Sequence, residues 1–282
     1  MSRLDVRKTY KLYINGEFPR SESGRTYPAL DADGAVLARV ALASRKDLRE
    51  SVRAARTAQA KWAERSGYNR GQILYRIAEM MEDRRAAFEE QLEDAGATAT
   101  RARNEVADSI DRMVWYAGWA DKFAQIYGNL NPVAGPFFNI SAPEPTGVVG
   151  VIAPEAPALL GLISRLAPAI VSGNTAVVLA SPSQPMPAIT FAEVLESSDV
   201  PPGVVNILTG SHSELAPWLA DHMDVNAIDL AGAPDQLRVR IEQGAVHNVK
   251  RLIGTDGKLD GQSPYLIAAF TETKTVWHPK GL

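Results

Sequence analysis

The stretch VVGVIAPEAPALLGLISRLAPAIVSGNTAVVLA, residues 148–180, determines the fold class of this 282-residue chain. It contains two short apolar runs, Val148–Ala153 and Ala176–Ala180, and a longer apolar segment between them that ends at Val171. Apolar runs of this kind, separated by a helix, are typical of a parallel sheet that is covered on both faces. The stretch therefore predicts a strand, a helix and a second parallel strand.

The same alternation continues toward the C-terminus. Strands are predicted at Val204–Thr209, Ala227–Leu230 and Val249–Ile253, and helices at Ala188–Ser197, Ser213–His222 and Asp235–Gln243. We therefore expect an α/β fold with a Rossmann-like parallel sheet flanked by helices. This architecture is of a nucleotide-binding type, but architecture alone does not prove that a nucleotide binds.

The N-terminal half is predicted to be mainly helical. Ser44, with Asp47 three residues later, has the pattern of an N-cap, and the apolar face of the helix continues to Trp62. Two further helices are predicted from Arg70 to about Asp94 and from Ala102 to about Phe123, and two short strands at Lys11–Ile14 and Val36–Val40, with a turn region from Ser21 to Gly34 between them.

Two further segments have a different composition. GNLNPVAGPFFNISAPEP, residues 128–145, is rich in Gly, Pro and Asn, which favours an exposed hairpin arm. TETKTVW, residues 271–277, alternates between two sets of side chains, the pattern of a strand with two distinct faces. An isolated strand or hairpin is marginal in water, so both segments need a sheet to join.

Composition excludes several classes of protein. The net charge is −3, which argues against a nucleic-acid or anionic-membrane partner. The charged N-terminal residues lack the apolar core of a signal peptide, so a cytoplasmic location is expected. The four histidines lack metal-ligand spacing and are expected at the surface or at helix caps, and the chain contains no cysteine.

Several motifs, in order along nearly the whole chain, resemble the aldehyde dehydrogenase superfamily. They are KLYINGEF (residues 11–18), RGQILYRIAEMMEDR (70–84), WYAGWADK (115–122), EPTGVVGVIAP (144–154), LAPAIVSGNTAVVL (166–179), PPGVVNILTG (201–210) and TETKTVW (271–277). The resemblance implies an NAD-binding domain, an oligomerisation arm with a C-terminal strand, and a large catalytic domain.

The resemblance leaves no room for that catalytic domain. GQSPYLIAAF, residues 261–270, resembles the stretch that closes the family's nucleotide domain, and TETKTVW follows it directly. We expect a nucleotide-binding-like domain at 1–127 and 147–264, and an oligomerisation arm and tail at 128–146 and 265–282.

The catalytic positions implied by the resemblance are altered. The family's nucleophile is a cysteine thiolate, and this chain has none. Ala156 corresponds to the Asn that donates to the oxyanion, and the adjacent Glu155 would repel a negative charge. Lys258 corresponds to the general-base Glu, and a protonated lysine cannot accept a proton.

The cofactor positions are altered as well. The family binds the adenosine ribose with a Lys and a Glu, both of which are replaced, although Ser183 or Gln184 could still accept a ribose hydroxyl. Where the family has a Gly-rich helix start facing the pyrophosphate, Pro234 removes one backbone donor. No cofactor is expected, NAD being only a weak candidate. The corresponding positions are Ala180, Ser183, Gln184, Gly232, Ala233 and Leu237.

The retained segments are those that the family uses for assembly. We expect a catalytically inactive subunit that pairs with a full-length aldehyde dehydrogenase, or with itself, through its arm, its tail and the helix at 235–243. The expected contact residues are Phe137, Phe138, Ile140, Leu237, Ile241, Thr271, Thr273, Thr275, Val276 and Trp277. Two alternatives remain open: a nucleotide-sensing regulator, and an enzyme with residual or different oxidoreductase activity.

Overall fold

The computed structural model describes residues 8–254 and 261–281. Its strands are β1 (Thr9–Tyr10), β2 (Thr26–Leu30), β3 (Val36–Ala41), β4 (Asn129–Asn131), β5 (Phe137–Pro145), β6 (Val148–Ile152), β7 (Thr175–Leu179), β8 (Val205–Leu208), β9 (Ala227–Asp229), β10 (Arg251–Ile253) and β11 (Thr271–Pro279). Its helices are α1 (Arg45–Ala63), α2 (Gly67–Asp83), α3 (Arg85–Asp94), α4 (Ala99–Ala117), α5 (Phe123–Tyr127), α6 (Ala158–Val171), α7 (Met186–Glu196), α8 (His212–Asp221), α9 (Asp235–Ala245) and α10 (Pro264–Ala269). Among the described residues, no helix combines the length and apolarity that crossing a membrane requires.

The predicted parallel sheet is formed by β6 to β10, in the order β10-β9-β6-β7-β8. All residues of β6, β7, β8 and β9 are buried, which is why these strands are mainly apolar, apart from Thr175, Asn206 and Asp229. Val149 and Val151 contribute to the core on one face, and Val148 and Ile152 to the core on the other. Strand order reverses between β6 and β9, and open α/β sheets bind ligands outside the carboxyl ends of their strands at such a point.

The N-terminal helices follow the prediction with one break and one early end. Ser44 caps α1 in a capping box with Asp47, as predicted. The helix predicted over 70–94 is instead two helices, because Arg84 leaves the helical conformation. The break lets α3 pack on α7, and Phe88 of α3 is fully buried in the core. The next helix, α4, ends at Ala117, and α5 follows as a separate turn.

A small sheet of order β1-β3-β2 lies beside the N-terminal helices. The strand β2 lies in the region predicted as turn, and its register with β3 shifts between Ala29 and Leu30. The strand predicted at Lys11–Ile14 is shorter and earlier, at Thr9–Tyr10. Tyr13 instead makes an isolated bridge with Ile207, which closes the β8 edge of the parallel sheet.

The hairpin arm and the tail form one antiparallel sheet of order β11-β5-β4. All nine residues of β11 pair with β5, from Thr271 opposite Pro145 to Pro279 opposite Phe137. From Glu272 onward every residue of β11 is exposed. We call this three-stranded unit the arm sheet.

The link into the arm sheet is compact. Residues 264–269 form α10, and Ile267 and Phe270 are fully buried in the main core, so this part of the expected tail packs with the body. The Asn174 amide donates to the Phe270 carbonyl over 2.8 Å. Arg251 Nη1 donates to the carbonyls of Ala269, over 3.1 Å, and of Thr271. The arm sheet is therefore held at its base by the edge of the parallel sheet.

Candidate functional site

The crevice beyond the carboxyl ends of β6, β7 and β9 is the position expected for a nucleotide, and its walls are the loops that follow these strands. The loop after β9 packs on the loop after β6 through backbone contacts. Gly232 N–H donates to the Ile152 carbonyl over 3.0 Å. A Cβ at Gly232 would lie 2.2 Å from the Ala153 carbonyl oxygen, so only glycine fits here. The Gly232 N–H is therefore already used within the protein and is not open to a ligand.

Ala156, the position expected to lack an oxyanion donor, lines a cavity of about 560 Å³ beside the crevice. Pro157, Leu160 and Gln184 line the same cavity, as do Glu105 and Arg101 on α4. The methyl group of Ala156 offers no hydrogen-bond donor. The cavity wall therefore has no side chain at position 156 that could stabilise a developing negative charge.

Glu155 turns its carboxylate to the loop after β7. Its Oε2 accepts from Ser181 Oγ over 3.0 Å and from Ser183 N–H over 3.3 Å, and Ser183 Oγ also donates to it. The backbone carbonyl of Glu155 accepts from Ser181 Oγ as well, over 3.2 Å. Ser183, one of the two residues that the sequence left as a ribose partner, is therefore bound to a carboxylate of the same chain.

Among the other predicted cofactor positions, only Gln184 lines the cavity described above. Gln184 N–H donates to Ser181 Oγ over 3.1 Å. Ala180 is buried, and its carbonyl lies 3.0 Å from His212 Nε2. Ala233 is buried, and Leu237 packs against the core beneath α9. Lys258, the position of the family's general base, lies outside the described residues.

His212 differs from the expectation of a surface or capping histidine. It is buried, and burial lowers the pKa of its imidazole. Within residues 8–254 and 261–281, no group of three or more His, Cys, Asp or Glu side chains could hold a metal ion.

Sequence reasoning missed a buried ion pair between α6 and β9. Arg165 Nε lies 2.7 Å and its terminal Nη2 2.5 Å from Asp229 Oδ2, and both side chains are about 1% exposed or less. Asp229 Oδ1 also accepts from Ala231 N–H over 2.9 Å. The signal was present, because each charge interrupts an otherwise apolar element that the sequence predicted to be buried.

Sequence reasoning also missed Glu105 on α4. Its Oε1 accepts from the backbone N–H groups of Leu159, over 2.9 Å, and Leu160, over 3.3 Å, at the first turn of α6. Burial raises the pKa of Glu105, although the two amides and Arg101 act in the opposite direction. No sequence signal joins residues 105 and 159, because the contact depends on how α4 crosses α6.

One face of the arm sheet carries an apolar row. Ile140 lies opposite both Leu130 and Val276 in register, so the three side chains share a face, and Phe138 lies on the same face two residues away. All four are exposed, from 42% for Phe138 to 66% for Leu130. We call Leu130, Phe138, Ile140 and Val276 the apolar row.

The opposite face is mainly polar. Asn131 Nδ2 donates to Asn139 Oδ1, over 2.6 Å, and Ser141 Oγ lies 2.8 Å from Thr275 Oγ1. At the far end of this face the rings of Phe137 and Trp277 pack edge to face at 5.8 Å. The arm sheet is therefore amphipathic.

The positions of three expected assembly residues need correction. Ile241 is fully buried in the chain's own core and Leu237 is half-buried there, so the outward apolar residue of α9 is Val239. Thr271 is buried at the base of β11, where its hydroxyl donates to the Ala268 carbonyl over 3.0 Å. The predicted apolar contact by α9 is thus smaller than the sequence pattern indicated.

Comparison with known proteins places these features in one family. A profile described as the aldehyde dehydrogenase family matches residues 19–277. The chain is 34% identical to the cytosolic 10-formyltetrahydrofolate dehydrogenase of Pongo abelii over 95% of its own length and 30% of the relative's. It is 33% identical to retinal dehydrogenase 2 of Gallus gallus, with coverage of 94% and 51%.

Solved structures give the same result. The NAD+ complex of an aldehyde dehydrogenase from Bacillus cereus superposes with a TM-score of 0.81 at 25% identity, over 87% of this chain and 50% of that one. The HpcC protein of Thermus thermophilus superposes with a TM-score of 0.80 at 30% identity, with coverage of 87% and 47%. The chain thus spans about half the length of these structures.

Proposed function

The chain belongs to the aldehyde dehydrogenase family, and from this membership we propose that it is a catalytically inactive subunit that assembles with a full-length aldehyde dehydrogenase. The observation that carries the proposal is the arm sheet, which is retained with its apolar row exposed while the positions of the family's chemistry are replaced. The function of such a subunit would lie in the assembly.

The altered positions support inactivity. Residues 1–282 contain no cysteine, so they cannot supply the thiolate that attacks the aldehyde carbonyl. Ala156 has no donor for an oxyanion, and the neighbouring Glu155 carries a negative charge. These groups act together in the family's chemistry, and their joint replacement is more informative than any single one.

The arm sheet supports assembly. β11 is an edge strand, so one side of its backbone is open to pairing with a strand of another chain. The apolar row crosses all three strands and would be covered by a partner's apolar surface. The occupant that we propose is a full-length aldehyde dehydrogenase, because the chain shares the fold of such proteins and the resemblance implies that the arm and the tail are the family's assembly segments.

The test is co-expression with a full-length aldehyde dehydrogenase encoded in the same genome, followed by native mass spectrometry. We expect a heteromeric species with the wild-type chain and its loss when Ile140→Lys and Val276→Lys are combined, because two charges would be buried in the apolar row. Ala86→Lys adds a charge to an exposed position of α3, outside the arm sheet, and is expected to retain the heteromer. Two results would contradict the proposal. One is that the wild-type chain forms monomers or homomers and no heteromer, and the other is that the double variant assembles as the wild type does.

A further inference from the structure

Two glutamates at the crevice have no role in the proposed assembly. We propose that Glu105 and Glu155 are built-in ligands of the crevice, which satisfy its hydrogen-bond donors from within and exclude an anionic dinucleotide. This inference rests on the proposed function in one respect: it assumes an inactive chain and explains how a nucleotide-binding type of fold can persist there without a bound cofactor.

Glu105 binds at the amide cradle of α6. This helix of 14 residues follows β6, the central strand of the parallel sheet, and the unpaired N–H groups at such a helix start form an anion site. The donors at Leu159 and Leu160 are both used by the Glu105 carboxylate. A phosphate bound here would have to displace a negative charge that the fold already holds in place.

Glu155 satisfies the donors at the next loop. Ser181 Oγ, Ser183 Oγ and Ser183 N–H all lie within hydrogen-bond distance of Glu155 Oε2. The resemblance places the ribose of the cofactor at this loop. A ribose hydroxyl would therefore have to compete with a charged acceptor, and charged hydrogen bonds are roughly twice as strong as neutral ones.

The loop after β9 offers few donors to an anion among the described residues. Gly232 N–H is bound to the Ile152 carbonyl over 3.0 Å, and Pro234 has no N–H. Among the residues that line the adjoining cavity, Arg101 is a cation, whereas Glu105 and Asp108 are both acidic. The described residues therefore do not fit a bound NAD+, and they fit their own two carboxylates.

The experiment is calorimetric titration of the folded full chain with NAD+. We expect no saturable binding by the wild type up to about 5 mM, and at least about tenfold tighter binding when Glu105→Ala and Glu155→Ala are combined. Glu105→Gln with Glu155→Gln keeps the side-chain shape, removes both charges and is expected to give an intermediate gain. Asp108→Asn removes a charge from the same cavity without freeing a backbone donor, and should bind as the wild type does.

Two results would overturn the inference. One is wild-type binding of NAD+ with a Kd below about 100 µM. The other is that the folded double variants bind no better than the wild type; if the alanine pair does not fold, the glutamine pair decides. Neither result bears on assembly, which is measured separately by native mass, so failure of this inference and failure of the proposed function are distinguishable.

Discussion

At the scale of single residues, the buried charges were the least predictable feature. Arg165 and Asp229 lie on elements that the sequence correctly predicted to be apolar and buried, but their pairing follows only once α6 is packed on β9. Glu105 and Leu159 are 54 residues apart, and their contact depends on the crossing of two helices. The sequence can locate an unusual residue, whereas its partner requires the tertiary structure.

The Arg165–Asp229 pair gives the first residue-scale prediction. Arg165→Met leaves a buried carboxylate without its counter-charge and should lower the free energy of unfolding by about 3–5 kcal/mol. Adding Asp229→Asn removes the charge, keeps an acceptor for Ala231 N–H, and should recover part of the loss. Urea unfolding measures both effects, and Arg53→Met at an exposed pair serves as control. Full stability of the Arg165→Met variant would contradict the prediction.

Glu105 gives a prediction about pH. Because burial raises its folded-state pKa above the ordinary value of 4.5, its contribution to stability is present below that value and is lost as pH rises through the folded pKa. The stability of Glu105→Gln relative to the wild type should therefore increase as the pH rises from about 4.5 through the folded pKa. Urea unfolding of both proteins across this range measures the difference, and parallel pH profiles would refute it.

At the scale of elements, the strands of the parallel sheet were predicted within two residues, because the complete burial of β6 to β9 demands mainly apolar sequence. The strand β2 was missed because Pro28 and the flanking glycines indicate turn, and a proline is tolerated here on an edge strand. The helix α10 was missed although its start signal is present, since Ser263 caps it and Pro264 is its first residue.

The base of β11 gives the element-scale prediction. Arg251 holds it through two backbone carbonyls and through an ion pair of 2.7 Å with Glu272. Arg251→Ala should increase hydrogen exchange throughout β11 while leaving the parallel sheet protected, because several contacts at one point are lost. Lys274→Ala removes only an exposed ion pair with Glu144, over 3.0 Å, and should change exchange little. Equal exchange in the two variants would contradict this role for Arg251.

At the scale of the whole molecule, the order of elements and the fold family followed from the sequence, but the condition of the crevice did not. The replaced positions, such as Ala156 and Gln184, indicated what the site lacks. That Glu155 and Glu105 satisfy the remaining donors depends on side-chain directions in loops and helix crossings, which no periodicity encodes.

The anchoring of the arm sheet has a consequence for recognition. Since Asn174 and Arg251 join the base of the arm sheet to the parallel sheet, the orientation of the arm sheet is set before a partner binds. A partner that binds the arm sheet would therefore cause little further loss of conformational entropy, because the arm sheet is already ordered in the single chain. The association rate constant should then be limited by the relative orientation of the two molecules at collision rather than by a conformational change of the arm sheet.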